Sequence, residues 1–166
     1  MHMKKIISAM LAAAVLFLLG SCSGGGKAPV TVEGTEIDSG IFTYFLHRIV
    51  SSPESYGLDA DADEKEFKAA AVNECKRYIS VNTEFADSGE SLTAAQKVEI
   101  AEKVNNIWLR SQNHFESVGV TKQTLTKIIT SEKYEEVVFT ALYDTGKEDA
   151  AAERAIRNSF YDNYVS

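Results

Sequence analysis

Three aspartates, Asp59, Asp61 and Asp63, alternate with alanines, which is the spacing that opens a calcium-binding EF-hand loop. That loop also needs glycine at its sixth position, for a sharp turn, and an acid at its twelfth, to bind calcium through both oxygens. Glu64 and Ala70 stand at those positions. The sequence therefore favours a solvated loop whose acids lie near a helix N-terminus, and it predicts no calcium site.

His47 and His114 are the only histidines beyond the first ten residues, and each lies in a predicted helix. Neither has a histidine, cysteine or acid three or four residues away, so a metal site would require the fold to bring the two together. The chain also contains no Gly-x-Ser-x-Gly motif and no glycine-rich phosphate loop. The sequence predicts no metal, no cofactor and no catalytic group of residues. Whether the chain is part of an enzyme stays open.

The N-terminus has the pattern of an export signal. Two lysines precede an unbroken apolar run over residues 10–19, which is too short to span a bilayer comfortably. It leads into Leu-Gly-Ser-Cys at residues 19–22, which resembles the lipobox of bacterial lipoproteins. We therefore predict a lipoprotein signal peptide over residues 1–21 and a lipid attachment site at Cys22. An ordinary signal peptide with an incidental cysteine is the alternative.

Residues 22–28 are rich in glycine and serine and predict a flexible tether. Two or three acyl chains on Cys22 would hold a domain at a membrane surface, since each buried CH₂ contributes about 0.8 kcal/mol. The expected location is extracytoplasmic, with the protein anchored to the bacterial cell membrane or outer membrane. The lipid anchor, rather than a spanning helix, would make the membrane contact.

The chain is acidic, with a net charge of −7. Without residues 1–21, which carry two lysines and no acids, 15 basic residues stand against 24 acidic ones, a net charge of −9. Such a domain repels nucleic acid, so no nucleic-acid partner is expected.

Residues 29–166 suffice for one helical domain. If Cys22 is acylated, Cys75 has no partner for a disulfide within the chain and is expected to be buried as a small apolar side chain.

The predicted fold is mainly α, with five or six helices and one short N-terminal strand or hairpin. Residues 30–37 alternate apolar and polar types around Glu33-Gly34, which predicts a strand and a tight turn. Helical spacing of apolar residues dominates after that. The predicted helix starts are Asp38 or Ser39, the pair Asp61 and Glu64, the pair Thr93 and Gln96, Thr121, and Glu148 or Asp149.

Glycines and prolines predict the helix ends. The first helix is expected to stop near Pro53, the second at Gly89 and the third at Gly119. Ser131 either interrupts the fourth helix or lies within it without interrupting it. The last helix is expected to turn Phe160 and Tyr164 inward.

Most of the aromatic residues must be core, but Tyr44 lies off the apolar stripe predicted for the first helix. Phe139 and Tyr143 also flank the predicted inner face of their helix, so apolar surface is expected to remain for another chain. Large aromatics on long helices can line a groove. The candidate residues for binding a polypeptide are therefore Tyr44, Trp108 and Phe115, with a core role for the last two as the alternative.

The order of these features resembles the N-terminal domain of SurA/PrsA-like extracytoplasmic foldases. A short strand, Glu33-Gly34 and the helix start over residues 38–46 are similar to the family's opening, and Leu92-Thr93 and residues 119–121 match its helix junctions. The sequence departs from the family at Glu33, where asparagine is usual. The resemblance implies a chaperone domain that binds unfolded secreted or envelope polypeptides.

The parvulin-type isomerase domain of that family is absent from residues 29–166, so the resemblance implies no prolyl isomerase activity for them. The segment from Tyr161 to Tyr164 is similar to the helix end that leads into the isomerase domain of the family. We therefore expect the chain to be the N-terminal piece of a longer foldase or a relative that lost the domain. A helical envelope lipoprotein with one specific protein partner is the alternative function.

Overall fold

A computed structural model describes residues 30–143, with side-chain burial described up to residue 140. The predicted signal peptide, Cys22 with its tether, and the predicted last helix lie outside the described residues. The described chain is mainly helical, as predicted, with a hairpin, four α-helices and one short 3₁₀ turn. The elements are β1 (Val30–Val32), β2 (Thr35–Ile37), α1 (Ser39–Ser51), the 3₁₀ turn (Pro53–Tyr56), α2 (Glu64–Ser88), α3 (Ala94–Val118) and α4 (Lys122–Tyr143).

The two strands form an antiparallel hairpin in which Val30 faces Ile37. Its turn residues, Glu33 and Gly34, have φ angles of 50° and 83°, the positive values that a two-residue hairpin turn of this hand requires. Val32 and Ile37 are buried in the main core. The hairpin predicted from the alternating pattern is therefore confirmed, and its inner face packs on the helices.

Three helix starts follow local signals. Asp38 caps α1 by accepting a hydrogen bond from the Gly40 N–H at 2.9 Å. Thr93 and Gln96 form the predicted reciprocal box at the start of α3. The Thr121 hydroxyl accepts a hydrogen bond from the N–H three residues later, at the predicted start of α4.

The predicted box of Asp61 and Glu64 is wrong, because the reciprocal bonds join Asp63 and Glu66, each at 2.9 Å. A turn closes over residues 59–62 through the Ala62 N–H and the Asp59 carbonyl, so α2 begins two residues later than expected.

The predicted ends of α2 and α3 are confirmed. Gly89 and Gly119 have φ angles of 73° and 81°, the left-handed conformation in which glycine ends a helix at no steric cost. Ser131 does not interrupt α4. Its buried hydroxyl accepts a hydrogen bond from the Asn82 side chain of α2 at 2.9 Å, so the fourth helix runs unbroken through this position.

The core lies where α2 packs against α1 and α4, and α3 also packs against α4. Its fully buried apolar side chains include Ile41, Ile49, Cys75, Leu125 and Ile128. The predicted burial of Cys75 is confirmed. A smaller cluster holds Phe85, Val138 and Phe139, so Phe139 does not leave apolar surface exposed as expected. No helix between residues 30 and 143 has the length and apolar character needed to cross a membrane.

The N-terminus of α1 lies close against α4. A Cβ on Gly40 would come within 2.9 Å of the Thr124 hydroxyl oxygen, so a larger side chain would not fit without movement. The Thr124 hydroxyl lies 3.3 Å from a carboxylate oxygen of Asp38, and the Lys127 ammonium lies 3.1 Å from the same oxygen. These contacts fix the direction of α1, which supplies one wall of the cleft described next.

Candidate functional site

A cleft of about 210 Å³ opens between α1, the 3₁₀ turn and the C-terminal end of α3. We call it the aromatic cleft. It is lined by three aromatic rings, two imidazoles, one guanidinium, three serines and two valines: Tyr44, Tyr56, Phe115, His47, His114, Arg48, Ser51, Ser52, Ser55, Val118 and Val120. Rings with a few polar groups among them are the usual lining of a site that binds another molecule.

The structure brings the three predicted aromatic residues together. The ring centroids of Tyr44 and Phe115 lie 6.1 Å apart, and the Trp108 ring is stacked on Phe115 at 6.0 Å. Tyr44 and Phe115 line the aromatic cleft, whereas Trp108 does not. Trp108 and Phe115 are both half-buried and pack against the main core. Both rings therefore also have the core role that the sequence leaves open as the alternative.

The expectation that Tyr44 lies off the buried face of α1 is wrong. Its side chain is only 7% exposed and belongs to the main core with Ile41. The buried face of α1 thus includes Tyr44, while the apolar side chain of Val50 is 52% exposed. The Phe115 ring of α3 packs against Tyr44.

His47 and His114 also meet, with ring centroids 5.3 Å apart and planes perpendicular. His47 is half-buried and His114 is exposed, so the pair lies at the rim of the aromatic cleft. Nothing local in the sequence indicates this contact, which joins α1 to α3. Across residues 30–143, no three or more side chains of His, Cys, Asp or Glu are grouped so that they could hold a metal ion.

Arg48 and Tyr56 complete the polar side of the cleft, and sequence reasoning missed both. The Arg48 guanidinium carbon lies 5.9 Å from the centre of the Tyr44 ring, a cation–π distance. Burial works against its charge, but the facing Tyr44 and Tyr56 oxygens outweigh burial and raise the pKa of Arg48. Burial raises the pKa of Tyr56 above its ordinary value of 10, although the nearby Arg48 charge opposes this effect. Pro53, at the start of the 3₁₀ turn, is the sequence signal that could have located Tyr56.

A second, larger cleft of about 390 Å³ adjoins the first, and both are lined by Arg48, Ser55 and Tyr56. It extends between α1, α2 and α4, where Arg77 of α2 holds Glu135 of α4. The Nη2 of Arg77 donates to both Glu135 oxygens at 2.9 Å, and its Nε donates to one of them at 3.2 Å. The two clefts therefore form one groove across the helices, with Arg48 at the junction.

Burial raises the pKa of Glu74, which also lines the second cleft, although Arg77 and Arg48 partly offset that effect. The carboxylates of the groove thus lie in its second half, and the aromatic cleft has none in its lining.

Comparison of the chain with protein-family models, with curated proteins and with solved structures finds no match. The function is therefore inferred from the residues of the groove and of the N-terminus.

Proposed function

We propose that the chain is a lipid-anchored extracytoplasmic chaperone domain that binds unfolded exported polypeptides, with the aromatic cleft as its binding surface. The observation that carries the proposal is the meeting of Tyr44 and Phe115 in an open cleft whose other walls are polar. Both residues are candidates from the sequence, on separate helices. Their joint placement in one cleft supports a binding role.

A binder of unfolded chains must accept many sequences, so it uses apolar surface for side chains and hydroxyl groups for the backbone. The aromatic cleft offers both kinds of group. The half-buried rings of Phe115 and Tyr56 supply apolar contact area, and three serines and the Tyr56 hydroxyl can donate to or accept from a peptide backbone. Continuity with the second cleft gives an extended segment room beyond a single side chain.

The anchoring part of the proposal rests on the N-terminal sequence. Leu-Gly-Ser-Cys at residues 19–22 supports acylation of Cys22, and the glycine-rich segment that follows supports a tether. With the described domain beginning at the hairpin, only a few residues separate the anchor from Val30. The groove would then be held close to a membrane surface across which unfolded chains emerge.

Aggregation of two unrelated, chemically denatured proteins tests the proposal. The chain lacking residues 1–21 and carrying Cys22→Ser is added at equal concentration, and light scattering is followed after dilution from denaturant. We expect slower aggregation of both clients. Tyr56→Ser should weaken this effect because it removes a ring from the cleft. The control is Leu109→Ser, which removes a side chain that is 80% exposed and lies outside the cleft.

No slowing with either client would contradict the proposal, as would equal losses in the two variants. A single tight partner in a pull-down from envelope extracts, without suppression of aggregation, would instead favour a lipoprotein with one specific partner.

A further inference from the structure

We infer that the aromatic cleft recognises a carboxylate of the bound polypeptide through Arg48. The inference rests on the proposed function and adds a chemical class to it: segments that carry an ionised Asp, Glu or C-terminal carboxylate.

The charge of the aromatic cleft is opposite to that of the chain. Acids outnumber lysines and arginines by 24 to 17 in the sequence, yet no Asp or Glu lines this cleft. Its ionisable groups of basic type are Arg48, His47 and His114, and hydroxyl donors of serine and tyrosine surround them. Such a set of donors favours an anion over a cation.

Arg48 is available to such an anion. No carboxylate oxygen of the described residues lies within 4 Å of its guanidinium, whereas Arg77 in the same groove is bound by Glu135 through both of its oxygens. Glu74 from α2 and Glu132 from α4 face Arg48 at longer range. The exposed guanidinium contacts the Tyr44 side chain, but no carboxylate of residues 30–143 occupies its forked donors, and a carboxylate is the partner that their geometry fits best.

The histidine pair adds to the same preference. Among the described residues no hydrogen bond is made by the ring nitrogens of His47 or His114, so each ring keeps a donor for a ligand. A metal ion is the competing ligand for two adjacent imidazoles. It is disfavoured because the described chain offers no third ligand there and because the Arg48 charge repels a cation.

Four fluorescent peptides with one aromatic-rich sequence test the inference. The first pair differs only at the C-terminus, which is either a free carboxylate or an amide, and the second pair is amidated and has an internal Glu or Gln. Binding is measured by fluorescence anisotropy with the chain described above. We expect at least one carboxylate peptide to bind about tenfold tighter than its neutral partner, the effect of one good charge-assisted contact.

Arg48→Gln should reduce that ratio to near one, because it removes the guanidinium and little else from an exposed site. Arg110→Gln is the matched control, since Arg110 is also exposed and lies on α3 outside the cleft lining. It should keep the wild-type ratio. Circular dichroism of both variants checks that they are folded.

Equal binding of all four peptides would overturn the inference while leaving the proposed function in place, and so would equal losses in the two arginine variants. Failure of every peptide to bind would overturn the proposed function together with the inference.

Discussion

The rings of Tyr44 and Phe115 lie 6.1 Å apart and connect the middle of α1 to the last turn of α3. Phe115 is also stacked on Trp108, with ring planes only 13° apart. One half-buried phenylalanine thus forms a wall of the aromatic cleft and also joins it to the outer part of the core. The contribution of Phe115 to stability and its contribution to binding can therefore be separated by comparing its loss with the loss of Trp108.

Phe115→Ala and Trp108→Ala form a matched pair. Each removes a half-buried ring, so each is expected to lower the free energy of unfolding by about 2 kcal/mol, less than the roughly 3 to 5 kcal/mol of a fully buried ring. Only Phe115 lines the cleft, so only its loss should weaken binding of an unfolded client. Urea unfolding and anisotropy measure the two effects. Equal weakening by Trp108→Ala would contradict this division.

Asp38 links the cap of α1 to α4, which gives its charge a measurable effect. Burial tends to raise the pKa of Asp38, but hydrogen bonds from Gly40, Lys127 and Thr124 outweigh it and hold the pKa below its ordinary value of 3.8. The stability that this carboxylate contributes is therefore fully present above the unfolded pKa. It is lost as the pH falls through the folded one.

Asp38→Ala should lower the free energy of unfolding at pH 7 by about 1 kcal/mol, the usual cost of losing an N-cap. Asp38→Asn keeps the cap but loses the charge, so its deficit should be smaller and should shrink as the pH drops below about 4. Urea unfolding of the three proteins at several pH values measures this. A deficit of Asp38→Asn that grows toward acid pH would contradict the assigned role.

Arg77 gives a contrast between two glutamates of the second cleft. Glu135→Gln loses a carboxylate that accepts three hydrogen bonds from Arg77, and we expect the free energy of unfolding to fall by about 1 kcal/mol. Glu74 lies farther from Arg77, at 3.8 Å, and burial raises its pKa, which means that its charge is unfavourable in the folded chain. Glu74→Gln should therefore leave stability at pH 7 unchanged or raise it. The reverse order of the two variants in urea unfolding would refute this reading.

Cys75 is expected to be inert while the domain is folded. Its side chain is fully buried, and burial, with a smaller effect of Glu74, raises the pKa of its thiol to about 12. The thiolate is the reactive form, so labelling at pH 8 should run at least roughly a thousandfold slower than for a free thiol. Cys22→Ser makes Cys75 the single thiol of the chain for a measurement with a chromogenic disulfide reagent. Labelling at the free-thiol rate without denaturant would contradict its burial.

Features that depend on neighbours in sequence could be predicted. The hairpin turn at Glu33-Gly34, the cap at Asp38, the box at Thr93 and the stop at Gly119 each use groups within a few residues. The predicted start of α2 is wrong because Asp61 and Glu64 have the same spacing as Asp63 and Glu66. Only the turn before Asp63 decides between the two pairs.

Features that depend on contacts between helices could not be predicted. Tyr44 is buried because Phe115 covers it, and His47 meets His114 because α1 and α3 approach each other there. The role proposed for Arg48 likewise depends on its surroundings, since no carboxylate of the described residues forms an ion pair with it. A helical pattern reports which residues share a face, but it does not report which other helix will cover that face.

Site-specific photo-crosslinking tests the central claim most directly. A photoreactive phenylalanine analogue is placed at Ser55, which is exposed and lines both clefts, or at Glu102, which is exposed on α3 outside them. Each protein is irradiated with a permanently unfolded client and, separately, with the same client in its folded form. We expect a crosslink from position 55 to the unfolded client alone and none from position 102. Equal crosslinking at the two positions, or to the folded client, would contradict binding of unfolded polypeptides in the aromatic cleft.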